Sequence, residues 1–228
     1  MEPDSPGFSV AAKINKRCRC QGTLLYLKSY NAEINDYDGE WDLGYRGKIG
    51  YENASGLRFE LTGFYHQTDF TGEQGVVTGT HTFYSVDATL GDTIHCGELC
   101  LSIAAGLRFG GNEFDEDWGG MATNSEFNGI GPVIAIEATR SLSERFALYA
   151  TLRQALLFGE DEYFDGTDTF KTDTLASVTE IGAGFQANFG VGGVTDAYFR
   201  AGFEGQYWLE DGGNIGLFGG VLSLGANF

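Results

Sequence analysis

Three features of the chain predict an all-β fold: a closed antiparallel transmembrane β-barrel of ten strands. The first is the C-terminal run Leu222-Ser223-Leu224-Gly225-Ala226-Asn227-Phe228, apolar at every second position and ending on an aromatic ring. The second is the same two-residue period in segments upstream. The third is the alternation of tight turns with acidic connections. In lipid every backbone N–H and C=O needs a protein partner, so an open sheet is excluded and closure is required.

The clearest strand is 41–52, where Trp41, Leu43, Tyr45, Ile49 and Tyr51 share one face and Asp42, Arg46, Lys48 and Glu52 the other. Segment 57–68 sets Leu57, Phe59, Leu61 and Tyr65 against Arg58, Glu60, Thr62 and His66, and segment 196–209 sets Phe199, Phe203, Tyr207 and Leu209 against Arg200, Glu204 and Gln206. A period of two over such lengths is a half-buried strand, not a helix. The remaining strands are expected at 22–33, 82–96, 99–110, 129–140, 145–158, 175–189 and 215–228. Asn53 to Gly56, Gly97-Glu98, Ser141 to Glu144 and Gly190 to Val194 read as tight turns. Between them lie acidic segments, 33–42, 69–80, 110–128, 159–173 and 210–214, which read as loops. Short turns at one rim and long loops at the other place the turns in the periplasm and the acidic rim outside.

Composition agrees. No apolar run approaches the ~20 residues of a membrane helix. Only 3 prolines interrupt the chain, as a sheet requires. The formal charge of −18 disfavours nucleic acid as a partner. Of 32 Asp and Glu, 20 lie in the five acidic segments, which hold a single basic residue, Lys171. Residues 1–21 contain no apolar secretion-signal core and are expected to form an N-terminal periplasmic tail, with residues 22–228 forming the barrel.

A soluble barrel also alternates, but its polar face would be rich in Lys and Glu. Here that face is Gly, Thr, Ser, Arg and Glu. Rings fall near strand ends, with Trp41, Tyr65 and Tyr207 toward the loop rim and Tyr51, Phe146, Phe189 and Phe228 toward the turn rim. Two aromatic belts around an aliphatic middle match a bilayer. In the first strand, Lys28 facing lipid near mid-membrane would cost ~2–4 kcal/mol. That argument turns Lys28 inward and Leu25 and Leu27 outward.

On this register the lumen receives the cations Arg46, Lys48, Arg58, Arg108, Arg153 and Arg200, the carboxylates Glu60, Asp87, Glu137, Glu180 and Glu204, and His66 and Gln206. Charges this enclosed must pair. Pairs closing across the axis would plug the barrel, whereas pairs along the wall would let ions pass. Ten strands lie near the narrow end of the size range. Lumen glycines (Gly44, Gly50, Gly106, Gly182, Gly184 and Gly202) argue for free space inside.

Cys18, Cys20, Cys96 and Cys100 all fall at the periplasmic rim, where disulfides are the first expectation and a zinc site of uncommon spacing the second. An outer-membrane protease would need an acid/base group at the loop rim. Of the histidines, His95 is at the wrong rim, while His66 and His81 lie near the right one, with Asp69 as a candidate orienting group. The acidic runs Glu113 to Asp117 and Glu160 to Glu162 lack EF-hand spacing, so no defined metal site, catalytic residue or cofactor is expected.

Three stretches stand out as motifs: Phe127-Asn128-Gly129-Ile130-Gly131-Pro132 with Glu137, Leu156-Leu157-Phe158-Gly159, and Glu180-Ile181-Gly182-Ala183-Gly184. They resemble the Legionella major outer membrane protein family, including its planctomycete-like branch. Phe199 to Trp208 and the tail from Gly216 to Phe228 continue the series, and Trp41 to Tyr51 and Leu57 to Tyr65 match early strands. The resemblance implies a pore-forming barrel of the bacterial outer membrane. The expected activity is passage of small hydrophilic solutes or ions through a narrow lumen, with weak cation preference from the acidic rim. The alternative is a plugged structural or surface-interaction barrel, with an outer-membrane protease third. Expected partners are outer-membrane lipid and lipopolysaccharide, with oligomeric state open.

Overall fold

A computed structural model describes residues 17–31, 37–72, 77–164, 166–191, 195–210 and 213–228. The strands are β1 (Arg17–Asn31), β2 (Asp38–Gly39), β3 (Trp41–Glu52), β4 (Arg58–Gly72), β5 (Val77–Cys96), β6 (Leu99–Trp118), β7 (Ala122–Ser141), β8 (Phe146–Phe164), β9 (Thr169–Val191), β10 (Thr195–Glu210) and β11 (Gly213–Asn227). The two-residue β2 pairs with β4 above the β3–β4 ladder, so β2 and β3 are one barrel strand interrupted at Glu40. Each strand pairs antiparallel with its neighbours, and β1 pairs with β11 from Arg19↔Asn227 to Asn31↔Ile215, which closes the ring at ten strands. Backbone bonds between Phe228 and Cys18 finish that seam, at 2.9 and 3.2 Å.

The turns follow from local chemistry. Asn53 Oδ1 accepts from Ser55 N, Ser55 Oγ and Leu57 N. Gly97, at φ 61°, permits the two-residue turn between Cys96 and Leu99. The β7–β8 ladder skips Gly131-Pro132, where proline has no N–H to donate.

Two expectations change in the first half of the chain. β1 begins at Arg17, so residues 17–21 belong to the barrel; the rest of the expected tail lies outside the described residues. The face of β1 is also reversed. Leu25 and Leu27 are fully buried inside the barrel, while Leu24 and Tyr26 face outward with Lys28. Lys28 pairs with Trp41 near the outer end of its strand and lies 5.9 Å from the Tyr30 ring. A lysine there reaches the interface along its aliphatic stem, which removes the penalty assumed for mid-membrane.

The acidic segments are largely not loops. β5 to β9 run 19 to 23 residues, whereas ~9–11 span a bilayer. Their upper parts carry Glu113, Glu126, Glu160, Glu162 and Lys171 on the outer face, beyond the last lipid-type residues Phe109, Ile130, Phe158 and Leu175. Lys171, exposed between Glu160 (2.8 Å) and Glu162 (2.7 Å), is held protonated above the ordinary lysine range by bonds to both. The outcome is a one-sided palisade of paired strands standing on the outer rim. On the outer face below it, Trp41, Leu43, Tyr45, Phe59, Ile134, Phe185, Phe199 and Phe203 are exposed, and so are the seven belt aromatics.

Candidate functional site: a charged floor, an apolar layer and an outer mouth

All thirteen residues expected in the lumen point into the barrel, but they do not stand along an open wall. Arg46 on β3 binds Glu204 on β10 through both guanidinium amino groups, at 2.6 and 2.7 Å, and reaches Glu180 on β9 at 2.9 Å. Arg108 on β6 grips Asp87 at 2.6 and 2.8 Å and meets the other oxygen of Glu180 at 2.6 Å. Glu180 therefore joins opposite walls, with Arg153 3.5 Å away. A second group lies nearer the periplasm. Arg58 binds Glu60 at 2.7 Å, Lys48 lies 3.3 Å from Glu60 and 3.6 Å from Glu137, and Arg200 binds Glu137 at 2.6 Å. Arg200 also lies 4.8 and 4.9 Å from the Tyr149 and Tyr198 rings. Every cation in the set has a carboxylate partner, as burial demands, and Gln206 donates to Glu204 at 2.9 Å.

Beyond these charges the interior turns apolar. Along β5 the inward residues run from Asp87 to Phe83; on β7, from Glu137 to Val133 and Phe127; on β8, from Arg153 to Ala155 and Leu157; on β9, from Glu180 to Val178 and Ala176. Leu25 and Leu27 of β1, Trp208 of β10 and Leu217 and Val221 of β11 complete one packed cluster. Leu25, Leu27, Phe83, Leu157, Ala176 and Val178 are each 0% exposed. This layer crosses the lumen on the extracellular side of the charge network. A strand period reports which residues face inward; it does not report that the apolar ones gather at one height.

The lumen glycines make room for neighbours, not for water. A Cβ on Gly44 would meet His66 Nδ1 at 3.0 Å, one on Gly182 would meet Thr151 Oγ1 at 2.8 Å, and one on Gly202 would meet the Tyr149 hydroxyl at 2.6 Å. The expectation of free space at these positions is thus corrected. Among the described residues the larger open volumes inside the barrel lie toward its ends. A vestibule of about 560 Å³ at the periplasmic end is lined by Arg19, Lys48, Arg58, Glu137 and Arg200. Cavities of about 40 and 20 Å³ remain within the charge network. A separate cavity of about 120 Å³ lies at the extracellular mouth.

The four cysteines are free thiols, correcting the disulfide expectation. Cys18, Cys20 and Cys96 lie on outward positions and Cys100 on an inward one. Strands β1 and β5 are three ladder spacings apart, roughly 14 Å at the usual strand separation, beyond the ~7 Å Cα limit of a disulfide. Nor is the acid/base group assembled. His66 and His81 are buried inside, 0% and 1% exposed, while Asp69 sits on the exterior, accepting from Thr80 at 2.9 Å. Among the described residues no cluster of three or more His, Cys, Asp or Glu is arranged to hold a metal ion.

Solved structures of similar shape are outer-membrane barrels. The outer membrane protease OmpT from Escherichia coli shares 11% identity at a TM-score of 0.57, covering 93% of this chain and 96% of its own. The β domain of the Bordetella autotransporter BrkA shares 14% at a TM-score of 0.51, covering 93% and 98%. At these identities the likeness speaks for the fold alone. No curated protein matches the chain in sequence. The barrel geometry, the lipid-type outer face and a family match over residues 8–210 converge: the chain is a bacterial outer-membrane β-barrel protein and belongs to the family described as Legionella pneumophila major outer membrane protein precursor.

Proposed function

We propose that this protein is a plugged outer-membrane barrel that acts through its acidic extracellular palisade, without enzymatic activity and without a standing pore. The observation that carries this reading is the apolar layer. Leu25, Leu27, Phe83, Leu157, Val178 and Leu217, from five different strands, meet inside the barrel at 0–1% exposure. Below it, Arg46, Glu180 and Arg108 tie the walls together. An ion crossing would have to be desolvated in the apolar layer, which costs far more than thermal energy supplies. In planar bilayers the purified protein is expected to give no conductance steps. Steps in the wild-type protein would restore the pore reading.

A second reading, a gated pore for small hydrophilic solutes or ions, is favoured by one observation, the charged periplasmic vestibule of about 560 Å³. Were the layer displaced, carboxylates within a Debye length (~8 Å at physiological salt) of the mouth would enrich cations. Any open state is therefore expected to prefer cations weakly, and to lose that preference as salt rises. Reversal potentials in a salt gradient test it; anion preference would show that Arg46, Arg108 and Arg200 dominate.

A further inference from the structure

We propose that the extracellular mouth holds a binding site for a small amino alcohol, an organic ammonium compound that also carries a hydroxyl group. The site is the cavity of about 120 Å³ above the apolar layer. Its walls include the rings of His81, Phe114 and Trp208, and its polar groups include Glu210, Asp161 and Asn112. It goes beyond the plugged-barrel reading, because a ligand reaches it from outside whether or not the barrel conducts.

Three features select the ligand. The first is charge. Glu210 and Asp161 line the cavity, and among the described residues no lysine or arginine does. Each carboxylate is positioned by a neutral donor, Asn112 Nδ2 for Glu210 and Ser125 Oγ at 3.2 Å for Asp161. A carboxylate has about four acceptor sites, so both retain capacity for an ammonium group. The second is the aromatic wall. His81 stacks on Phe83 at 4.1 Å and meets Phe114 edge-on at 4.7 Å. Phe83 in turn lies 5.6 Å from Trp208. Ring faces favour an adjacent organic cation over a hydrated metal ion.

The third feature is independent of both. Trp208 is 2% exposed and its indole N–H donates to nothing in the structure. Buried donors are nearly always satisfied, and one that is not needs an explanation. An acceptor oxygen on the ligand supplies it. A ligand carboxylate would be repelled by Glu210 and Asp161, so the acceptor is a neutral oxygen, of which a hydroxyl is the most compact. The volume equals roughly four waters at ~30 Å³ each, which suits two to four carbons with an amine and a hydroxyl. The acidic outer face, including Glu113 and Glu160, raises the local concentration of such cations.

The test uses the full chain in detergent micelles with ¹⁵N-labelled tryptophan, and follows the Trp208 indole N–H signal, identified by its loss in Trp208→Phe. Ethanolamine added at constant ionic strength is expected to shift that signal saturably. Ethylammonium, lacking the oxygen, and propan-1-ol, lacking the charge, are each expected to bind at least fivefold more weakly. Glu210→Gln should weaken ethanolamine binding at least tenfold; Asp161→Asn, which removes no partner of Asn112, gives a second reading of the same charge requirement should Glu210→Gln not fold. The proposal is overturned by a non-saturating response, by equal responses to ethanolamine and ethylammonium, or by unchanged affinity in the folded carboxylate variants.

Discussion

Arg46 on β3 and Glu204 on β10 are 158 residues apart in sequence and form a two-pronged ion pair at 2.6 and 2.7 Å inside the barrel. Strands β1 and β11 lie between them in the wall. The pair thus spans the seam where the first and last strands meet, and cross-links it from within.

Removing one partner of that pair strands a buried charge. Arg46→Met is expected to destabilise the barrel by ~3–5 kcal/mol, because Glu204 loses its cation and Glu180 keeps only Arg108 and Arg153. Adding Glu204→Gln should recover part of the loss. A double-mutant cycle on reversible denaturant unfolding in lipid vesicles measures this; additive effects would mean that the two side chains do not interact.

The apolar layer can be thinned. Leu157→Ala and Trp208→Ala each delete a side chain at no more than 2% exposure, with an expected cost of ~2–5 kcal/mol apiece. Combined, they are expected to admit ions where the wild-type protein does not. Bilayer conductance reads the effect, and a silent but folded double variant would mean that the charge network alone seals the barrel.

The face of β1 can be tested at adjacent positions. Leu27→Lys places a cation in the apolar layer and is expected to block folding or cost several kcal/mol. Lys28→Leu adds an apolar residue to the lipid face and is expected to be neutral or mildly stabilising. Similar outcomes at the two positions would contradict the register of β1.

The free thiols make a chemical prediction. Cys18, Cys20 and Cys96 are exposed and are expected to react with a maleimide in the folded protein without prior reduction. Intact mass before and after reductant should be unchanged, and a gain of two mass units per bridge would reveal a disulfide.

Tyr37, outside the membrane-spanning strands, is pushed up to about 12 by burial, against the opposing effect of its 2.8 Å hydrogen bond to Ser29. A raised folded-state value means that its contribution to stability is complete below the ordinary tyrosine value of ~10 and is lost as pH climbs through 10 to 12. Ultraviolet titration should show late-ionising phenol absorbance, and Tyr37→Phe should remove one tyrosine's share of it.

Strand identity and facing were legible from the chain because a period of two is a local property, carried by residues such as Trp41 to Glu52 whatever surrounds them. So was closure, since lipid forbids an unpaired edge. The acidic segments were legible as exposed and extracellular, but not as strand. Charged residues such as Glu113 to Asp117 have low strand propensity and pair because the strands beneath them are already in register. The face of β1 could not be read from Leu24 to Lys28, where apolar residues fall on both sides. It depends on which surface the other strands present, and at that height they present Val133, Leu157 and Leu217. The balance between an open and a sealed lumen is likewise collective. Inward residues are named by alternation, but their height along the axis depends on strand tilt and register around the whole ring. Only there do Glu180 and Arg108 meet across the lumen, while the apolar side chains close into a layer above them.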